Sequence, residues 1–364
     1  MKKIMEGSHA IAEAVKLSEP KVIASYPITP QTHIVEKLAE MIANGELDAE
    51  LLNVESEHSA ISACIGAQAM GARTFTASSS QGLALMHEIL FIASGMRLPI
   101  VMAVANRSLS APLNIWCDWS DAMAERDSGW IQLYCENIQE AFDTILMAYR
   151  IAEDKNVMLP AMVCIDGFFL SHVFEPIDIT VKKFLRPYNK KISFDHPITQ
   201  GAWANPEYYQ DFKREQQDGM NAAKKVISDV NKEFYKVYGR KYGNGLIEVT
   251  NPGKKYAIVS MGSVCGTIKH FLEKNDNFTL IRIKSFRPFP FEELKILSDF
   301  ESIGVLEKDI SLGNYGALFT EIKSITTVPV CNFVGGLGGR DITMNDIQKI
   351  FEIIKKKGKG FHWV

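Results

Sequence analysis

The chain has no C-x-x-C pair: Cys64, Cys117, Cys135, Cys164, Cys265 and Cys331 are scattered singly through 364 residues. That spacing argues against a disulfide framework, a zinc site or an iron–sulfur cluster built by this chain alone. No apolar run approaches the roughly 20 residues of a membrane helix. No basic block exceeds the terminal Lys355-Lys356-Lys357, and net charge is −3. Nucleic acid, which needs clustered cations on its phosphates, is therefore not an expected partner. There is no Walker A loop. Glu6 arrives before any apolar stretch, so no secretory signal is evident. What is present is a mixed composition, 46% hydrophobic and 23% charged, whose length predicts two domains in a soluble, cytoplasmic protein.

The first half alternates short apolar runs with helical periods. Lys21 to Ser25 reads as a strand. Pro30 to Ala43 reads as an amphipathic helix with Ile34, Val35, Leu38, Met41 and Ile42 on one face. Thr29 stands where an N-cap belongs and Pro30 where the first helical residue belongs. A strand at Glu50 to Val54 leads into a helix of small residues (Ala60, Ala63, Gly66, Ala67, Gly71), suited to close approach by a backbone or ligand. Thr74 to Ala77, Pro99 to Ala105 and Pro160 to Ile165 are further strands. The run IVMAVA lacks polar alternation, as a central parallel strand covered on both faces does. The pattern predicts an α/β fold with a mostly parallel sheet, whose ligands bind beyond the carboxyl ends of the strands. YPIT, VESEH, ASSSQG, ANR and DGF all fall at that edge.

From about Pro187 to Gly253 the composition turns polar and aromatic and runs into a long helical segment, read as a linker packing over the first domain. A second α/β unit follows, with strands near Tyr256 to Ser260, Thr279 to Ile283, Gly304 to Leu306 and Val328 to Phe333. Gly336-Leu337-Gly338-Gly339-Arg340-Asp341 only partly matches a dinucleotide fingerprint and reads as a tight turn.

Several rim residues carry two readings. Glu57 follows a strand and opens a helix, where the dipole favours any acid and Glu55 is as near. A carboxylate desolvated in the crevice would instead have a raised pKa suited to proton sharing with a ring nitrogen. Thr29 is a cap or a ligand hydroxyl. Arg107 leaves an apolar strand at the ligand edge, suited to a carboxylate or to an acidic neighbour. Arg126, between Glu125 and Asp127, reads as an ion pair, and His58 and His172 as structural. Trp116, Trp119 and Trp130 accompany a polar loop, Ser108 to Gly129, and favour a subunit contact.

Taken together, YPITPQT (26–32), VESEHSA (54–60), ASSSQGLALMHE (77–88), SGMRLPIVMAVANRSLSAPLNIW (94–116), DWSDAMAERDSGWIQ (118–132) and DGFFLSH (166–172) resemble the α subunits of pyruvate:ferredoxin oxidoreductases. RPFPFEEL (287–294) and LEKD (306–309) extend the resemblance into the second half. It implies that residues 1–235 form the pyrimidine-binding domain of a thiamine diphosphate enzyme, with a helical linker region at 187–253. Residues 254–364 would form a transketolase C-terminal-like α/β domain. By the same resemblance, Glu57 contacts N1′ of the aminopyrimidine, promoting the imino tautomer that makes the ylid. Thr29 and Arg107 bind the substrate, Arg107 through its carboxylate. Pro27, Ile28, Ser80 and Gln81 join Glu57 around the cofactor.

The implied reaction is coenzyme A-dependent oxidative decarboxylation of pyruvate to acetyl-CoA and CO₂, with electrons passing to ferredoxin. No G-D-G…N-N motif for diphosphate and Mg²⁺ occurs here. A β subunit is therefore expected to complete the thiamine diphosphate site with Mg²⁺. The γ and δ subunits would complete a dimer of heterotetramers, partner chains would carry the iron–sulfur clusters, and this chain would hold no metal and be inactive alone. Rival readings are a branched-chain 2-oxoacid, 2-oxobutyrate or 2-oxoglutarate as substrate, a non-catalytic scaffold, or a free-standing transketolase-like enzyme.

Overall fold

The computed structural model describes residues 2–180, 182–188, 195 and 197–364. A seven-stranded sheet runs in the order Glu50–Asn53, Val22–Ser25, Thr74–Ser78, Val101–Asn106, Ala161–Asp166, Ile131–Tyr134 and Ser285–Arg287. Its first six strands are parallel and the last is antiparallel. A six-stranded sheet has the order Gly360–Trp363, Val330–Val334, Ser302–Glu307, Tyr256–Ser260, Phe278–Ile283 and Ile247–Thr250, only the last antiparallel. Lys2–Glu6 and Phe174–Asp178 form a separate antiparallel ribbon.

Val101–Asn106 is buried throughout, between Thr74–Ser78 and Ala161–Asp166, as its unbroken apolar run predicts. Successive strand side chains point to opposite faces, so this one strand serves two cores. Met102 and Val104 join the core shared with the second sheet, through Trp119, Met261 and Phe286. Val101, Ala103 and Ala105 face the opposite core, filled by helices Gly7–Ser18, Ile138–Ala152 and Pro206–Tyr238. In Ile138–Ala152 every residue but Gln139 is buried. The 33-residue helix Pro206–Tyr238 inserts Ala223, Ile227, Val230 and Phe234, one helical stripe, into that core. Gly239, in the left-handed conformation at φ 76°, ends it.

Two expectations change. The helix after the first strand begins at Thr32, with Gln31 at its N-cap, so Thr29 is no cap. The carbonyl of Ile28 instead accepts the N–H of Gln31 at 2.8 Å, and this turn takes up Pro30. Trp119 and Trp130 are core residues, 0% and 1% exposed, because their indole N–H groups find buried acceptors in Asp166 and the Leu90 carbonyl. Of these three, Trp116, 49% exposed, remains at the surface. Gly360–Trp363 pairs along Val330–Val334 as a further strand. The glycine stretch is the tight turn expected, with Gly336, Gly338 and Gly339 all at positive φ. Among the described residues all six cysteines are unpaired and buried.

Candidate active site at the strand rim

The carboxyl ends of five parallel strands carry the segments Tyr26–Thr29, Glu55–Glu57, Ser79–Gly82, Arg107–Ser108 and Gly167–Phe169 to one edge. At the second of these, local capping separates two glutamates that the helix-dipole argument alone left equivalent. The hydroxyl of Ser56 accepts the Ser59 N–H at 3.2 Å and starts helix Glu57–Ala69. Glu55, outside the helix, takes the Ser59 hydroxyl at 2.6 Å, which holds its carboxyl below the usual range. Glu57 points inward and is 6% exposed. Burial raises its pKa, against a smaller pull from its own backbone N–H.

The carboxylate of Glu57 lies over Gly82. A Cβ there would meet Oε1 of Glu57 at 2.4 Å and Oγ of Ser78 at 2.8 Å. That is why the rim motif reads S-S-S-Q-G: any side chain at the fifth position would fill the carboxylate's place. Oγ of Ser78 and Nε2 of Gln81 are buried and have no partner among the described residues. Unpaired buried polar atoms flanking a buried acid suit a ligand with its own ring donors and acceptors. The aminopyrimidine of thiamine diphosphate is such a ligand, so the residues present fit it.

The loop carrying Ser80 is fixed from behind. Ser80 has φ of 48°, and its hydroxyl reaches both Oε1 of Gln81 and the Ser108 carbonyl at 2.5 Å. Asp121, 1% exposed, accepts the N–H groups of Ser80 and Arg107 on Oδ2, each at 2.9 Å. Its Oδ1 takes Nδ2 of Asn106 at 2.8 Å and the Ala122 N–H at 2.7 Å. Burial pushes this carboxyl up to about 7, while Asn106 and the three N–H groups pull the other way. Sequence reading missed Asp121, which sits in the five-residue helix Ser120–Ala124, too short to show a period. It also missed Gln31, whose Nε2 donates to the carbonyls of Tyr26 (2.9 Å) and Ala77 (3.1 Å) and so ties two rim segments together.

Arg107 and Thr29 are brought together. Nη1 of Arg107 donates to the Thr29 carbonyl and Nε to the Asn114 carbonyl, both at 2.9 Å. Nη2 of Arg107 and the Thr29 hydroxyl have no partner among the described residues. Burial lowers the pKa of Arg107 and Asp121 raises it; a guanidinium stays charged regardless. Thr29 and Pro27 are exposed and Ile28 half-buried, so this side of the site is open. Arg126 lies 3.9 Å from Asp127, a loose ion pair, and donates to the Met123 carbonyl.

The second sheet secures the arginine loop. Nδ2 of Asn114 donates to the Gly338 carbonyl at 3.1 Å, and the Gly339 N–H donates to the Cys117 carbonyl at 2.7 Å. A Cβ on Gly339 would come within 2.3 Å of Cβ of Trp116. Asp166, behind the rim, accepts Nε1 of Trp119 and Nζ of Lys308, each at 2.8 Å, and also holds Ser263.

Residues 13–232 match the family described as pyruvate flavodoxin/ferredoxin oxidoreductase, thiamine diphosphate-binding. Residues 255–347 match pyruvate:ferredoxin oxidoreductase core domain II. The chain therefore belongs to the pyruvate:ferredoxin oxidoreductase family, a class of thiamine diphosphate-dependent 2-oxoacid oxidoreductases. It is 56% identical to pyruvate synthase subunit PorA of Methanocaldococcus jannaschii, over 97% of this chain and 95% of that one. Like this relative, it is one subunit of a larger enzyme. The fold resembles 2-oxoglutarate:ferredoxin oxidoreductase from Magnetococcus marinus, with a TM-score of 0.79 at 18% identity, covering 98% of this chain and 65% of that one. A split-gene transketolase, an inactive β4 tetramer, aligns at a TM-score of 0.54 and 11% identity, over 97% and 95% of the two chains. Among the described residues no helix is long and apolar enough to cross a membrane.

Proposed function

We propose that this rim is the aminopyrimidine half of the active site of a pyruvate synthase, with Glu57 as the carboxyl that exchanges a proton with the cofactor ring. When bound, thiamine diphosphate supplies the carbanion chemistry that releases CO₂ from a 2-oxoacid. Glu57 would face a ring nitrogen, and the burial that raises its pKa favours a carboxyl that shares a proton there. Pro27, Ile28, Ser80 and Gln81 border the ring. Nη2 of Arg107 takes the substrate carboxylate, and the Thr29 hydroxyl donates to the substrate beside it. Asp121 keeps the Ser80 and Arg107 loops in mutual register.

The diphosphate and Mg²⁺ belong on a β subunit that closes the open side at Thr29. The γ and δ subunits, with iron–sulfur clusters on partner chains, carry electrons to ferredoxin, and coenzyme A receives the acetyl group. The whole is a cytoplasmic dimer of heterotetramers. Within this chain, residues 1–235 form the cofactor domain and 254–364 the second domain. The segment 187–253 connects them, of which 189–194 and 196 lie outside the described residues.

The observation that carries this reading is the buried Glu57 carboxyl seated on Gly82. Glu57→Gln in the complete complex tests it, by pyruvate- and coenzyme A-dependent reduction of a viologen dye. A fall of roughly 100-fold or more in kcat, the scale of general acid–base catalysis, is expected with assembly intact. Unchanged turnover would mean that the subunit is a scaffold. A better substrate than pyruvate would keep the proton role and correct the pocket.

A further inference from the structure

Eight histidines are spread through the sequence, yet three of them gather on one face beside the N-terminal ribbon. The ring of His33 lies 4.5 Å from that of His172 and 6.4 Å from that of His9. Glu6, at the end of strand Lys2–Glu6 and 7% exposed, reaches Nδ1 of His33 with Oε1 at 2.7 Å. One potential ligand atom from each of Glu6, His33 and His172 lies within 4.8 Å of the others. These residues come from three separate segments: the first strand, the first turn of helix Thr32–Ala43, and the turn before strand Phe174–Asp178. No sequence spacing could announce such a site.

We infer that Glu6, His33 and His172 form a binding site for a divalent transition-metal cation of the zinc type. Two imidazoles and one carboxylate are a donor set that zinc accepts, with a fourth position left over. Calcium and magnesium, which take six or more oxygens, do not fit it. An anion does not fit either, because the Glu6 carboxylate lies within the cluster. The fourth position has room, since the side chain of His33 is 41% exposed. His172 is also held as metal-bound histidines are. One of its nitrogens, Nδ1, meets Oγ of Ser171 at 2.7 Å, leaving the other for a ligand bond. Ser171 is itself fixed by the Phe168 N–H at 2.9 Å and by the Ser8 hydroxyl on its carbonyl at 2.9 Å.

A cation here would pin the N-terminal ribbon to the rim. His172 packs on Phe168 at 4.6 Å, and Phe168 on Trp116 at 6.1 Å, so the cluster adjoins the loop that positions Arg107. Closing a link between chain segments this far apart favours the folded state.

The full chain, freed of metal with a chelator, tests this by equilibrium dialysis against Zn²⁺ and by thermal unfolding with and without it. One equivalent per chain and a Zn²⁺-dependent rise in Tm are expected. His33→Asn with His172→Asn removes both, and Ser171→Ala weakens binding roughly 10–100-fold. Co²⁺ in place of Zn²⁺ gives tetrahedral visible bands without a thiolate charge-transfer band, which excludes the buried cysteines as ligands. No bound Zn²⁺ in the unaltered chain overturns the proposal and leaves Glu6 and His33 a simple ion pair. Binding that survives in the double variant, or a thiolate band, overturns it equally.

Discussion

Gly82 and Glu57 share one volume: a Cβ on the glycine would stand 2.4 Å from Oε1 of the glutamate. Gly82 lies in a helix at an ordinary backbone conformation, so Ala would cost nothing there through φ and ψ. Gly82→Ala acts by displacing the carboxylate, with an overpacking cost of about 1–3 kcal/mol. Turnover of the complex with pyruvate should fall by roughly 100-fold or more, the scale of lost acid–base catalysis, with a far smaller relative loss of assembly. Wild-type kcat in the alanine variant would show that Gly82 does not set the position of Glu57.

Arg107→Lys keeps the charge and loses the fork. A lysine can hold either the Thr29 or the Asn114 carbonyl, but not both together with a substrate carboxylate. A hydrogen bond to a charged group is worth about 1.5–3 kcal/mol. KM for pyruvate should therefore rise roughly 10–100-fold, with kcat changed less. Steady-state kinetics separate the two, and an unchanged KM would remove Arg107 from substrate binding.

Asp121→Asn replaces an acceptor of four N–H groups with one whose amide nitrogen confronts two of them. Either the Ser80–Arg107 pair or the Asn106–Ala122 pair is released. The expected result is a drop of about tenfold in kcat/KM, about the worth of one net hydrogen bond, with raised hydrogen exchange at the Ser80 and Arg107 amides. Protection of both amides equal to wild type would contradict the positioning role.

Helix Ile138–Ala152 is joined to the second sheet by Glu140, 0% exposed, which takes Arg282 through two bonds of 2.7 and 3.0 Å and Lys284 at 2.7 Å. Burial alone would raise its pKa, but the two cations overrule it and bring it from 4.5 down to about 2. A depressed carboxyl pKa stabilises the fold above 4.5, and that stability is lost as pH falls towards about 2. Glu140→Gln leaves Lys284, 2% exposed, without a carboxylate among the described residues and Arg282 with only Glu136 and Glu248, and should cost roughly 3–5 kcal/mol at pH 7. The gap between wild type and variant should close as pH drops below 4.5. A gap independent of pH in denaturant unfolding would show that the charge is not what matters.

Much of the first sheet was legible because hydrophobic burial writes itself into local periodicity. IVMAVA read as a central strand, and the rim motifs fell at strand ends, where an α/β fold must present them. Ile131–Tyr134 escaped because four residues behind an irregular loop have no period to detect. Ser285–Arg287 escaped because its partner strand is about 150 residues away, and antiparallel pairing over that distance leaves no local trace. The tryptophans were misjudged for a related reason. Their surroundings in sequence are polar, but their indoles are buried by residues distant in the chain, such as Asp166 for Trp119.

The sequence by itself determined the alternation of strands and helices, the family through its ordered motifs, and which residue types reach the ligand edge. Those follow from short-range spacing. Only the tertiary structure gives Glu55 and Glu57 different surroundings, leaving the first exposed and burying the second against Gly82. It likewise chose Asp121 as the common anchor and gathered Glu6, His33 and His172. Acidity and hydrogen-bond satisfaction are set by what surrounds a side chain in space, and those neighbours come from anywhere in the chain.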